Sequence, residues 1–177
     1  MPNHNRNSEH IVQRAHALTL RYHTRDPFLL AAELGIEVMH VDTLKRLKGM
    51  YRVIKGVRFI FLNNANPPQI NRIVCAHELG HDQLHRDYAR KNPLQEFAIC
   101  DMATKPEYEA NLFAANLLLD DETVLALIAE GCNTEKIAAV MESDVNLVAL
   151  KIDRLIDEGH ALRPQTHDSQ FLSVTKG

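Results

Sequence analysis

The chain has 177 residues, a formal net charge of −3 and 45% hydrophobic residues. That is the composition of one globular domain with at most a small appendage, and it excludes collagen-like and disordered classes. The mild acidity does not favour a nucleic-acid surface, and no apolar run is long enough to span a bilayer.

The first residues, Met1 to His10, are polar and carry no apolar segment of the kind a signal peptide needs. Cys75, Cys100 and Cys132 are odd in number and widely spaced, which is not a disulfide framework. Together these features predict reduced thiols, a cytoplasmic location and no membrane contact.

Residues 1–8 read as a frayed tail, with Ser8 as the cap of a helix running to about His23. Asp26-Pro27 starts a short second helix, Asp as cap and Pro at the first helical position, and Gly35 ends it. Ile36–Val41, Met50–Ile54 and Val57–Leu62 read as strands, the last two joined by Lys55-Gly56, a hairpin signal. A small antiparallel three-stranded sheet follows from this. A long helix is expected from about Pro67 to His85, capped by Asn66, and a loop over 88–104.

From Pro106 the chain turns helical again, with Ala110, Phe113, Ala114, Leu117 and Leu118 forming an apolar stripe. Asp120, Thr134 and Ser143 are expected to cap three further helices, the last ending near Gly159. The order predicts an α+β fold, with residues 1–120 carrying the sheet and the candidate metal site. Residues 121–163 are expected to form a helical, helix-turn-helix-like C-terminal subdomain, and 164–177 a flexible tail.

The chemistry concentrates in His77-Glu78-Leu79-Gly80-His81. Histidines at i and i+4 share a helix face, about 6 Å apart along the axis, so two imidazoles can meet at one zinc ion. Glu78, next to the first histidine, lies beside the metal rather than on it and can take a proton from zinc-bound water. This is the spacing of helical zinc peptidases. Ile73, Val74, Ala76, Leu79, Gly80 and Leu84 make the same helix largely apolar, so its polar residues are expected to be buried and to need partners.

A catalytic zinc needs a third protein ligand and an open position. His85 lies one turn too far along for the same ion and is expected to line the cleft or the core. Glu107 and Asn111 are four apart on one helix face, so Glu107 can ligate while Asn111 hydrogen-bonds a ligand histidine. Glu109 is the rival, about 200° round the helix from Glu107, so at most one of the two faces the metal. Glu107 is favoured, because the residue four on from Glu109 is apolar Phe113. Cys75 is expected to face away from the metal as a buried apolar residue. Cys100, in the loop between the two helices, is a weak candidate for inhibitory ligation. His85, Tyr88 and Tyr108 are candidate oxyanion donors.

The segments Ala76-His77-Glu78-Leu79-Gly80-His81 and Glu107-Tyr108-Glu109-Ala110-Asn111-Leu112-Phe113-Ala114-Ala115, followed by Leu117-Leu118-Leu119, together resemble the ImmA/IrrE family of metallopeptidases. The family pattern is A-H-E-L-G-H, a variable stretch, then E-x-E-A-N/D-x-F-A-A-x-L-L. A proline often follows, where this chain has Asp120. The resemblance extends loosely over residues 9–160. It implies a gluzincin-like site in which His77, His81 and Glu107 hold zinc and Glu78 is the base. It also implies a substrate: a helix-turn-helix repressor, cleaved to release a mobile element or stress regulon.

Two other classes compete with the peptidase. One is a metal-dependent regulator or sensor with the same ligands and little cleavage. The other is a nucleic-acid or protein-binding module at residues 134–155, which have a helix-turn-helix cadence. Asp144, Asn146 and Asp153 offset Lys151 and Arg154 there, which argues against DNA and for protein docking. A substrate strand is expected to pair with Val57–Leu62, taken as the edge strand before the active-site helix.

Overall fold

The structure, a computed structural model, describes residues 3–45, 47–87 and 104–163. Tyr88, Cys100, nearly all of the expected loop and the tail from Pro164 lie outside the described residues. Seven helices and three strands occur among the described residues: α1 (Asn3–Tyr22), α2 (Pro27–Glu33), β1 (Ile36–Val41), β2 (Gly49–Ile54), β3 (Val57–Asn63), α3 (Pro68–Leu84), α4 (Lys105–Leu118), α5 (Asp121–Ala129), α6 (Thr134–Val140) and α7 (Val145–Asp157). The fold is α+β. Among the described residues no helix is long and apolar enough to cross a membrane.

The sheet departs from the expected arrangement. Its order is β1-β3-β2, with β3 antiparallel to β2 but parallel to β1. Lys55 and Gly56 both have positive φ, 50° and 84°, the two-residue turn that matches the strand twist and folds β3 directly back along β2. The chain between β1 and β2 skips a position, and β3 fills it, so β1 and β3 run the same way. β3 is therefore central, paired on both sides, and is not the edge strand that the sequence reading assigned to Val57–Leu62.

Several helix starts also differ. Helix α1 begins at Asn3, so Ser8 lies inside it rather than capping it. Asp26 and Asp120 cap α2 and α5 as expected, accepting from Phe28 N and Thr123 N. Asn133 and Asp144, each beside the expected hydroxyl residue, cap α6 and α7. Carboxylate and amide oxygens are at least as good as hydroxyls in this role. Asn66 does not cap α3. Its side-chain amide instead donates to Lys48 O at 2.7 Å and to Asn71 Oδ1 at 2.9 Å, tying the entry of β2 to the start of α3.

One hydrophobic cluster runs from Ile11 on α1 through Ile60 and Leu62 on β3 to Leu150 and Leu155 on α7. Helix α4 lies at its centre, packed against α1, α3 and α7. That explains why Leu112, Ala115 and Asn116, outside the predicted stripe, are buried with it. Asn116 and Lys151 are polar residues within this core. Lys151 Nζ donates to Asn116 Oδ1 at 2.7 Å and pairs with the Asp121 carboxylate.

Asp82 fastens the sheet to α3. It is fully buried and accepts from Tyr51 Oη at 2.7 Å, Arg86 Nη2 at 2.7 Å and Arg58 Nη1 at 3.2 Å. Tyr51 is on β2 and Arg58 on β3, so a single carboxylate gathers two strands against the helix that carries His77, Glu78 and His81. Removing one partner of such a buried network leaves the others uncompensated. Asp82→Ala is expected to lower unfolding free energy by about 3–5 kcal/mol, as measured by urea denaturation.

Candidate metal centre

Helices α3 and α4 approach closely because Gly80 has no side chain. A Cβ there would lie 3.0 Å from Ala110 Cα, 3.1 Å from Ala110 O and 3.3 Å from Ala110 Cβ. Ala110 stands between Glu107 and Asn111 on α4, so this contact brings both of them over His77 and His81 of α3. The separation in sequence is about thirty residues, but the site is closed by a single helix–helix contact.

His77 Nε2 and His81 Nε2 lie 3.1 Å apart. Glu107 Oε2 is 3.1 Å from His77 Nε2, and Oε1 is 3.4 Å from His81 Nε2. Tetrahedral bonds of about 2.0–2.1 Å place two donors about 3.3 Å apart, so these three groups fit one ion. All three are buried, and together they form a group that could hold a metal. His77 Nδ1 is 2.9 Å from Asn111 Oδ1. An amide oxygen only accepts, so Nδ1 carries the proton and Nε2 keeps its lone pair for a metal.

Glu78 is fully buried, and neither carboxylate oxygen makes a hydrogen bond within normal geometry. Burial pushes its pKa up to about 8, with His77 pulling it back and Glu107 adding repulsion. The Tyr51 backbone amide of β2 is turned toward it and offsets a small part of the burial without closing a direct bond. Burial alone would lower His77, yet the adjacent Glu107 and Glu78 carboxylates raise it. Burial lowers His81 to about 4, against the pull of Glu107. Glu107, despite burial, is held down at about 2 by His77 and His81. An unpartnered carboxylate beside three converging donors fits a site built around a cation and its ligand.

The other candidates are placed elsewhere. Glu109 does not join Glu107 at the imidazoles; its Oε2 lies 2.9 Å from His85 Nε2. His85 in turn lies against His81 rather than at the ion position, with 3.1 Å between their Nδ1 atoms. Tyr108 faces α7, where the charges that act on it are Asp157, Asp153 and Arg154. Cys75 is part of the hydrophobic cluster, and burial pushes its thiol up. The sequence reading missed Glu109 as the partner of His85. The sequence shows that His85 follows His81 by one helical turn and that Glu109 is turned away from Glu107, but nothing in it pairs His85 with Glu109.

The fold and this centre define an α+β protein with a buried His-His-Glu group that could bind a metal ion and a carboxylate beside it. Comparison with known families gives the same class. Residues 31–153 match the Peptidase_M78 family, described as the IrrE N-terminal-like domain. The chain belongs to this family, the ImmA/IrrE metallopeptidases. It is also 36% identical, over 114 residues, to a protein of Bacillus phage phi105 named uncharacterized immunity region protein 2; the match covers 64% of this chain and 68% of that one.

Two outcomes test the geometry. Gly80→Ala gains helix propensity but must push α4 off α3, so divalent-metal affinity is expected to fall at least about tenfold by competition with a chelator, with stability lowered by ~1–3 kcal/mol. Glu78→Gln is expected to raise the melting temperature of the metal-free protein. The folded state lifts Glu78 from 4.5 to about 8, so it holds the proton more tightly than the unfolded chain does. Stability is therefore lost as pH rises from 4.5 toward 8, a loss the glutamine lacks. The gain in melting temperature should vanish near pH 4.5 and be largest at and above pH 8, read by thermal melts in excess chelator.

Proposed function

We propose that the protein is a zinc-dependent endopeptidase of regulatory purpose, acting on a helix-turn-helix repressor. The observation that carries the peptidase reading is the buried, unpartnered Glu78 beside the convergent His77, His81 and Glu107 group. Membership of a metallopeptidase family supports it. The likeness to a phage immunity-region protein supports a role in repressor control.

His77, His81 and Glu107 would hold the zinc, with N and O donors of the kind that ion takes in catalytic sites. A bound zinc would supply Lewis acidity toward the scissile carbonyl and the attacking water. Glu78 takes the water proton and returns it to the leaving amine. Asn111 holds the His77 ring in the tautomer that leaves Nε2 unprotonated.

The strand that receives substrate is β2 rather than β3. Asn63 N donates to Lys48 O, and alternation along the antiparallel ladder then turns the backbone groups of Gly49, Tyr51 and Val53 outward. Among the described residues no strand pairs with that outer edge. Tyr51, whose amide is turned toward Glu78, lies on it. A substrate strand added here would run past the base and the metal group together.

A second reading keeps the site as a metal-dependent sensor that binds a repressor without cutting it. The α6–α7 pair would dock protein in either case.

Incubation of the protein with a helix-turn-helix repressor encoded beside it tests both readings. Cleavage is expected with zinc, none with excess chelator, and a drop of at least about 10³-fold for Glu78→Gln, whose fold is retained. Stable binding of intact repressor by wild type and Glu78→Gln alike would replace the peptidase with the sensor.

A further inference from the structure

The contact between His85 and Glu109 lies outside the metal group and is used by no step above. It is also well defined. The two side chains are 12% and 13% exposed, and His85 Nε2 stands 2.9 Å from Glu109 Oε2. The other His85 nitrogen, Nδ1, is 3.1 Å from His81 Nδ1. Three groups from α3 and α4 thus form one line, with His81 at its inner end. The other Glu109 oxygen lies 3.6 Å from Lys105 Nζ, one turn back on α4.

The protons on this line have one consistent arrangement when a metal is bound. A carboxylate accepts only, so His85 Nε2 carries the proton given to Glu109. Neutral His85 then has a bare Nδ1, which accepts. The facing His81 Nδ1 must therefore be the donor, leaving His81 Nε2 bare. That is the nitrogen that converges with His77 Nε2 and Glu107. The opposite tautomer would set two bare nitrogens, or two N–H groups, against each other.

We propose that His85 and Glu109 are positioning residues that fix the tautomer and ring orientation of His81, so that its Nε2 lone pair is held toward the metal. They do for His81 what Asn111 does for His77, through an interposed imidazole. This rests on the metal-site reading, and it assigns the E-x-E pair two separate tasks: Glu107 at the ion, and Glu109 two bonds behind it. Outer partners of this kind typically change metal affinity by about 10–100-fold when removed.

The test uses the full chain and zinc alone, with affinity set by competition against a chromophoric chelator. His85→Leu keeps bulk but neither hydrogen bond, and is expected to loosen zinc by about 10–100-fold. Glu109→Leu is expected to loosen it in the same direction. His85→Gln supplies a carbonyl to accept from His81 and an amide to donate to Glu109, and is expected to restore affinity to within about threefold of wild type by the same account. A nitrogen-resolved NMR spectrum of the zinc form should show a slowly exchanging proton on His81 Nδ1 in wild type and His85→Gln, and none in His85→Leu. Melting temperatures of the metal-free variants establish that each is folded. Equal zinc affinity in wild type and His85→Leu overturns the positioning role while leaving the metal site standing. Weak loosening by Leu that Gln does not rescue, with the His81 proton unchanged, also overturns it. Failure of wild type to bind zinc at all, by contrast, removes the metal-site reading and this inference with it.

Discussion

Two carboxylates and two imidazoles stand side by side in the interior of this protein, and that burial constrains everything around it. Glu78 and Glu107 would carry two negative charges into the protein interior, where both are buried from bulk solvent. Placing a single ion in such surroundings costs several kcal/mol even after relaxation. Protons can offset part of this, as the raised Glu78 and His77 show. A divalent cation balances both carboxylates at once and satisfies the facing nitrogens. The fold therefore keeps a polar cluster that could hold a metal ion, and the binding of one would contribute to stability as well as to chemistry.

The surrounding structure holds that cluster from three directions. Gly80 lets α4 come against α3 at Ala110, which delivers Glu107 and Asn111. Asp82, one residue past His81, binds Tyr51 and Arg58 and so presses β2 and β3 onto the helix. The line from His81 through His85 to Glu109 closes the far side. Each device fixes a direction, and direction is what a metal centre requires, since a ring turned from its ion is no ligand. The same close packing places the Tyr51 edge of β2 next to Glu78.

Legibility in the sequence followed the range of the interaction. The pairing of His77 with His81 is a property of one helical turn, as is the pairing of Glu107 with Asn111, and both were readable from spacing. The rejection of Glu109 as a companion of Glu107 came from the same wheel. Asp26 and Asp120 were readable as caps because a cap is a local hydrogen bond. The Lys55-Gly56 turn was readable because a glycine in a two-residue connection marks a hairpin, and Gly56 takes the positive φ of 84° that favours glycine. Asn66 shows where locality ends. It has the right identity for a cap, but the helix starts one residue later, with Pro67 in the cap position, and the Asn66 amide binds Lys48 and Asn71 instead.

What the sequence by itself determined was therefore the α+β order of elements, the two motif helices and the residue types offered on each face. These depend on backbone periodicity, which a linear chain displays. Only the tertiary structure decided that β3 lies between β1 and β2, that β2 is an edge strand of the described sheet with Tyr51 beside Glu78, and that Glu109 reaches His85 instead of joining Glu107. Those outcomes depend on which faces pack against which, a choice made among residues twenty to forty positions apart by close contact and burial. No period in the chain encodes such a choice, because the partner that settles it lies on another element.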